Sequence, residues 1–129
     1  MKVINLTQHK ATPDQIEVGV VEPKKKHEVA ILLTFTELPM SSEIKERAAS
    51  LAEIAKEENA QYAMIGGAPF LMVELHHTLL QRGITPLYAF SKRESIEETL
   101  PDGSVKKTQI FKHAGFVTLC NEQECGESA

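Results

Sequence analysis

The chain has no tryptophan, two tyrosines, two cysteines and only two aspartates among its 129 residues. Each scarcity removes a class of explanation. Cys120 and Cys125, near a polar C-terminal end, supply neither a disulfide framework nor a four-ligand zinc pattern, and both read as incidental thiols. The aspartates, Asp14 and Asp102, fall at a helix start and in a turn, which gives a carboxylate-based metal hydrolase little to work with. There is no G-x-S-x-G elbow for acyl transfer. No apolar run approaches the roughly 20 residues that cross a bilayer, and Met1 to Leu6 is too short and polar for a signal peptide. A cytoplasmic protein is therefore expected. Fourteen basic against eighteen acidic residues give a net charge of −4, which argues against a broad duplex-binding face and leaves room only for a local anion site.

What is present fits one domain. Hydrophobic residues make up 42% of the chain and charged ones 25%, so we expect a single α/β domain over 1–120 and a flexible tail over 121–129. Val3 to Leu6 reads as a short first strand running into Thr7-Gln8-His9. Thr12-Pro13-Asp14 has the composition of a helix N-cap with proline at the first helical position, and that helix should stop near Gly19. The polar segment Glu22 to Glu28 is expected to be a loop feeding a buried strand over Val29 to Phe35, although the apolar run alone does not exclude a helix. Ser41 or Ser42 opens a helix whose apolar face is Ile44, Ala48, Leu51 and Ala55. Tyr62 to Ile65 is a buried strand, and Gly66-Gly67-Ala68-Pro69 turns into a helix with a Leu71, Leu75, Leu79 stripe that ends at Gly83. Pro86 to Phe90 is the next strand. Asp102-Gly103 closes a hairpin between arms of mostly opposite charge, and Ala114 to Leu119 reads as one more strand.

This order predicts a three-layer, Rossmann-like α/β domain with a mainly parallel sheet and an antiparallel C-terminal β-hairpin. Ligands of such sheets bind beyond the carboxyl ends of the strands. That selects Thr7-Gln8-His9, Thr34-Phe35-Thr36, Gly66-Gly67-Ala68 and Ser91-Lys92-Arg93. The glycine turn opens a helix and suits an anion, with a tight turn needing glycine for its backbone angles as the alternative. It lacks the Lys-Ser/Thr of a P-loop and the third glycine of a dinucleotide fingerprint. Lys92 and Arg93 bring two cations that fit a phosphate or, equally, a solvated surface. His9 and His113 are placed to exchange protons near neutral pH. His76-His77 are adjacent on a helix and cannot form an i, i+4 metal pair, so no metal is expected. His27 should be exposed, and Tyr88 or Phe90 could stack on a base.

The stretch Ala63 to Val117 carries Gly66-Gly67-Ala68, Phe70-Leu71-Met72-Val73-Glu74, Gly83 to Glu94, Asp102-Gly103 and Phe111-Lys112-His113-Ala114-Gly115-Phe116. With Asn5-Leu6-Thr7-Gln8-His9 and Ala11 to Gln15, it resembles the small accessory proteins of type III CRISPR loci, a group that includes ring nucleases. It departs from several relatives at Phe90, where they have a small hydroxyl-bearing residue. The resemblance implies binding and metal-independent cleavage of a cyclic oligoadenylate second messenger, with the ribose 2′-hydroxyl as nucleophile and no cofactor. His9 or His113 would be the general acid or base, and Lys92, Arg93 and the glycine-turn amides would hold phosphate. Thr7, Gln8, Gly66, Gly67, Ala68 and Ser91 would complete the ligand site. A ring with two-fold symmetry implies a homodimer. Two alternatives stand beside this: a non-catalytic sensor or sink for a phosphate ligand, and an interaction protein that uses the Lys24 to Lys26 loop.

Overall fold

A computed structural model describes residues 1–119. The expected C-terminal tail and both cysteines lie outside the described residues. The elements are β1 (Val3–Leu6), α1 (Pro13–Glu17), β2 (Val20–Val21), α2 (Lys26–Leu33), α3 (Ser41–Glu57), β3 (Tyr62–Ile65), α4 (Pro69–Gln81), β4 (Thr85–Thr99) and β5 (Val105–Val117). They form an α/β fold around one mixed sheet of order β2-β1-β3-β4-β5. The first four strands are parallel, and β5 returns antiparallel to β4.

Every residue of β1 is buried, as a central parallel strand covered on both faces requires. The side chains alternate between two apolar clusters. Ile4, Leu6, Ala63, Ile65 and Tyr88 join the cluster that α2, α3 and α4 supply. Val3, Met64, Leu87 and Phe116 face a smaller cluster with Ala11 and Val20, on the side of α1. Helix α1 begins as its composition demands, with a reciprocal capping box between Thr12 and Gln15 and Pro13 in the first turn. It ends at Gly19, whose φ of +112° and close approach to Met1 leave no room for a side chain, because a Cβ there would lie 1.9 Å from the Met1 carbonyl oxygen.

Three expectations need correction. Val29 to Phe35 is not a buried strand, because Lys26–Leu33 is helix α2. A continuous apolar run carries no period that separates strand from helix. What decides it is packing: Val29 and Leu33, four residues apart, are the buried pair, while Ile31 faces solvent. Arg47 of α3 completes the helix by donating to the carbonyls of Ile31, Leu32 and Thr34 at 3.2, 3.2 and 2.7 Å. Second, the sheet's outer strand is the short β2, paired to β1 through Val3–Val20 and Ile4–Val21. Third, Pro86 to Phe90 and the hairpin arm after it form one strand of 15 residues, and Val105 to Phe111 is likewise continuous with the run from Ala114. Beyond Ala89 this pair is a two-stranded ribbon, solvent-exposed over nearly its whole length. A bulge between Phe90 and Ser91 marks its base, and it leaves Ala114 without a partner.

Leu75 has no exposed surface in the larger cluster, so Leu75→Ala should cost about 3 kcal/mol through lost contacts and a cavity. Urea denaturation will check this, and a loss below about 1 kcal/mol would contradict the packing described. At the ribbon tip, the Ser104 hydroxyl and amide donate to Asp102 and hold its carboxyl below the usual range. The turn's contribution is thus present above the unfolded value of 3.8 and is lost as pH falls through the folded value. NMR should show the Ser104 amide resonance moving in that acidic window, and Asp102→Asn should abolish the movement.

Candidate functional site

Chain direction creates the site. After β1 the chain leaves through Thr7 to Lys10 toward α1, on the side of the smaller cluster, and goes on to β2. After β3 it leaves through Gly66-Gly67 into α4, on the other side, and goes on to β4. Neighbouring parallel strands whose connections diverge to opposite faces leave a crevice between their carboxyl ends. A cavity of about 400 Å³ lies there. Thr7, Gln8, His9 and Lys10 form one wall, Met64, Ile65, Gly66 and Gly67 a second, and Tyr88 with Ala89 of β4 a third, while Thr12 and Gln15 close the side of α1. The two loops touch closely enough that a Cβ on Gly66 would lie 3.4 Å from Thr7 Cγ2. Gly67 takes φ +154°, at the edge of the region that favours glycine, and a Cβ there would meet Met72 at 3.4 Å.

The wall after β1 is held by a buried amide. Asn5 Nδ2 donates to the His9 carbonyl at 2.8 Å and to both Glu22 oxygens at 3.1 and 3.0 Å. Asn5 Oδ1 accepts from the Thr7 amide at 3.0 Å and the Thr7 hydroxyl at 2.7 Å. Glu22 also accepts from the Ala11 amide at 3.3 Å, so the loop is tied at both ends. Gln8 Nε2 donates to Thr34 Oγ1 at 2.7 Å, linking this wall to the end of α2. Of the four post-strand segments that sequence order selected, Thr34-Phe35-Thr36 follows a helix instead and reaches the site through this bond, and Ser91 to Arg93 lies within β4.

Among the described residues, the lining contains an imidazole, an ammonium and a glycine turn, and no carboxylate. Helix α4 starts just past this lining, with no side-chain cap and no acidic residue in its first turn. Burial pushes the Tyr88 phenol up from its usual value, so it stays neutral at physiological pH, 3.1 Å from His76 Nδ1. That contact gives His76 a packing role, and His27 is exposed.

The structure gathers Thr7, Gln8, His9, Gly66 and Gly67 in this cavity. Ala68 caps α4 and does not line it. Ser91, Lys92 and His113 stand at the ribbon base, with Ser91 opposite His113. His113 Nδ1 lies 3.5 Å from Gln15 Nε2, and its ring packs edge-on against Phe116, so it adjoins the cavity from behind Gln15. Arg93 points the other way from Lys92 along the strand and lies over the Phe111 ring at 5.3 Å. Phe90 is half exposed and outside the lining, which leaves Tyr88 as the aromatic wall. Sequence reasoning missed Lys10, Thr12 and Gln15 as lining and Asn5 with Glu22 as support. Lys10 was within reach, being the next residue of a segment already selected.

The chain is thus an α/β protein with a pocket at the switch point of a mainly parallel sheet. Residues 1–117 match the profile of the uncharacterized protein MJ1673 family, and the chain belongs to that family. No curated protein and no solved structure matches it significantly. Among the described residues, no helix is long and apolar enough to cross a membrane, and no three His, Cys, Asp or Glu side chains are grouped to hold a metal ion.

Asn5→Ala would leave the Thr7 amide without its partner and take from Glu22 one of its donors, at a cost of about 2 kcal/mol. Hydrogen exchange at Thr7 should quicken more than at the core amides of α4, and uniform protection would show that Asn5 does not hold this loop.

Proposed function

We propose that this protein binds a cyclic oligoadenylate at the switch-point cavity and cleaves it without a metal, as the likeness to the ring-nuclease-like accessory proteins of type III CRISPR systems implies. One observation carries the reading: His9, Lys10 and the Gly66-Gly67 turn converge on one cavity whose lining, among the described residues, holds no carboxylate. This set suits a phosphodiester. Lys10 and the Gly66-Gly67 turn face the anion, and Tyr88 offers a flat surface to a base. A ribose 2′-hydroxyl attacks the adjacent phosphorus while its proton passes to His9. The bond to the 5′-oxygen breaks, and His9 returns the proton to that oxygen, leaving a 2′,3′-cyclic phosphate and a 5′-hydroxyl. Ammonium and amide groups stabilise the charge that develops on the phosphoryl oxygens.

A cavity of about 400 Å³ suits one nucleotide unit better than a whole ring. The reading therefore includes a two-fold homodimer whose pockets each take half of the ligand. It also includes Rossmann-like layering, in which α1 and Ala11 are a thin second helical layer opposite α2, α3 and α4, and a cytoplasmic location. Incubation with radiolabelled cyclic tetra- and hexa-adenylate in EDTA, resolved by thin-layer chromatography, should give linear products. His9→Ala should lower turnover by about 10²-fold or more while binding persists, and Lys10→Ala should weaken binding at least about tenfold. Failure of both rings to be cleaved or to raise the melting temperature would refute the proposal, and binding without turnover would make the protein a sink.

A further inference from the structure

We propose that the base of the β4–β5 ribbon is a second anion-binding site, made by Lys92 and Lys112, that takes a phosphate-class group. The cross-strand register shows why. Along the outer ribbon, opposite charges face each other: Glu98 is opposite Lys106, and Glu97 is opposite Lys107 with 3.7 Å between the charged atoms. At the base the pattern breaks, because Lys92 is directly opposite Lys112. Like charges in that position repel, and among the described residues neither lysine belongs to an ion pair.

A cavity of about 230 Å³ lies at this point, lined by both lysines, His113, Ala114 and Glu94. Glu94, two residues along from Lys92, offsets one of the two positive charges and leaves the cluster basic. His113 and the unpaired Ala114 border this cavity at the bulge, with the His113 side chain on the ribbon face of Ser91 and the two lysines on the other. The other side of His113 faces Gln15, which lines the switch-point cavity. His113 thus borders the ribbon cavity and touches a wall of the switch-point cavity. A ligand with two or more phosphates, seated in the first cavity, has its second anion directed to the ribbon base. The existence of the ribbon site rests on the ribbon alone; its use by a nucleotide rests on the function proposed above.

The test is a titration of the ¹⁵N-labelled full chain with inorganic pyrophosphate at low salt. Amides of Lys92, Lys112, His113 and Ala114 should shift in a saturable manner. In Lys112→Glu those shifts should vanish at concentrations at least tenfold above wild-type saturation. The melting temperature of the ligand-free variant should also rise by about one to a few degrees, because a like-charge pair has become an opposite-charge pair. Lys92→Gln, which keeps the strand and removes one charge, serves if the first variant does not fold, and it too should abolish saturation. Absence of a response at these four amides overturns the site whether or not Gly66 and Gly67 respond. Equal, unsaturable shifts at Lys24 to Lys26 would mark general ion condensation and overturn it as well. A response at the ribbon base with none at Gly66 and Gly67 upholds this site, and the nucleotide reading still stands or falls on ring cleavage.

Discussion

A single buried amide is the constraint on which the functional end of this molecule depends. Asn5 lies in the central strand with 1% of its surface exposed, and burying an amide is favourable only when its donors and acceptor are satisfied. Here both are. The side chain gathers the Thr7 amide, the His9 carbonyl and the Glu22 carboxylate around itself, and Glu22 in turn holds the Ala11 amide. The loop that presents His9 and Lys10 is therefore held from beneath by groups that never face the cavity. Sites formed by loops work when a rigid scaffold orients them.

The second wall has a different origin. Gly66 and Gly67 are close to Thr7, Leu33 and Met72, so the turn after β3 is shaped by the absence of side chains. The parallel order then does the rest, because connections leaving β1 and β3 toward opposite faces cannot cover the gap between the strand ends. The ribbon is the least supported part of the fold. An isolated two-stranded hairpin is marginal in water, and this one is anchored at its base, where His113 packs against Phe116 and Phe116 against the smaller cluster. A repulsive lysine pair at that anchor is an odd feature for stability alone and a natural one for binding an anion.

Much of the fold was legible because its signals are local. The capping box at Thr12, Pro69 at the start of α4, the Leu71, Leu75, Leu79 stripe and the Asp102-Gly103 turn each depend on residues within a few positions of one another. Val29 to Phe35 was not legible, since its apolar run has no period and its helical state depends on burial against α3 and on Arg47, 13 residues from Thr34. The site was legible in part. Thr7 to His9 and the glycine turn followed from the rule for strand ends. Gln15 was visible as a helix residue, but only the packing of α1 against the sheet makes it a wall of the cavity. Lys92 and Arg93 were grouped as one cluster because Ser91 to Arg93 was read as following a strand. Within a strand, adjacent side chains point to opposite faces, and that alternation separates them.

By itself the sequence determined the class of the fold, several of its turns and caps, and the place of Thr7 to His9 and the glycine turn after strands, because propensity, capping and hydrophobic period act over a few residues. Tertiary structure alone decided that a bare apolar run becomes a helix and that an asparagine and a glutamate 17 positions apart share hydrogen bonds. It also decided that Lys92 meets Lys112 across a ladder. These outcomes depend on contacts between distant parts of the chain, whose energies exist only once the strands are paired and the helices packed.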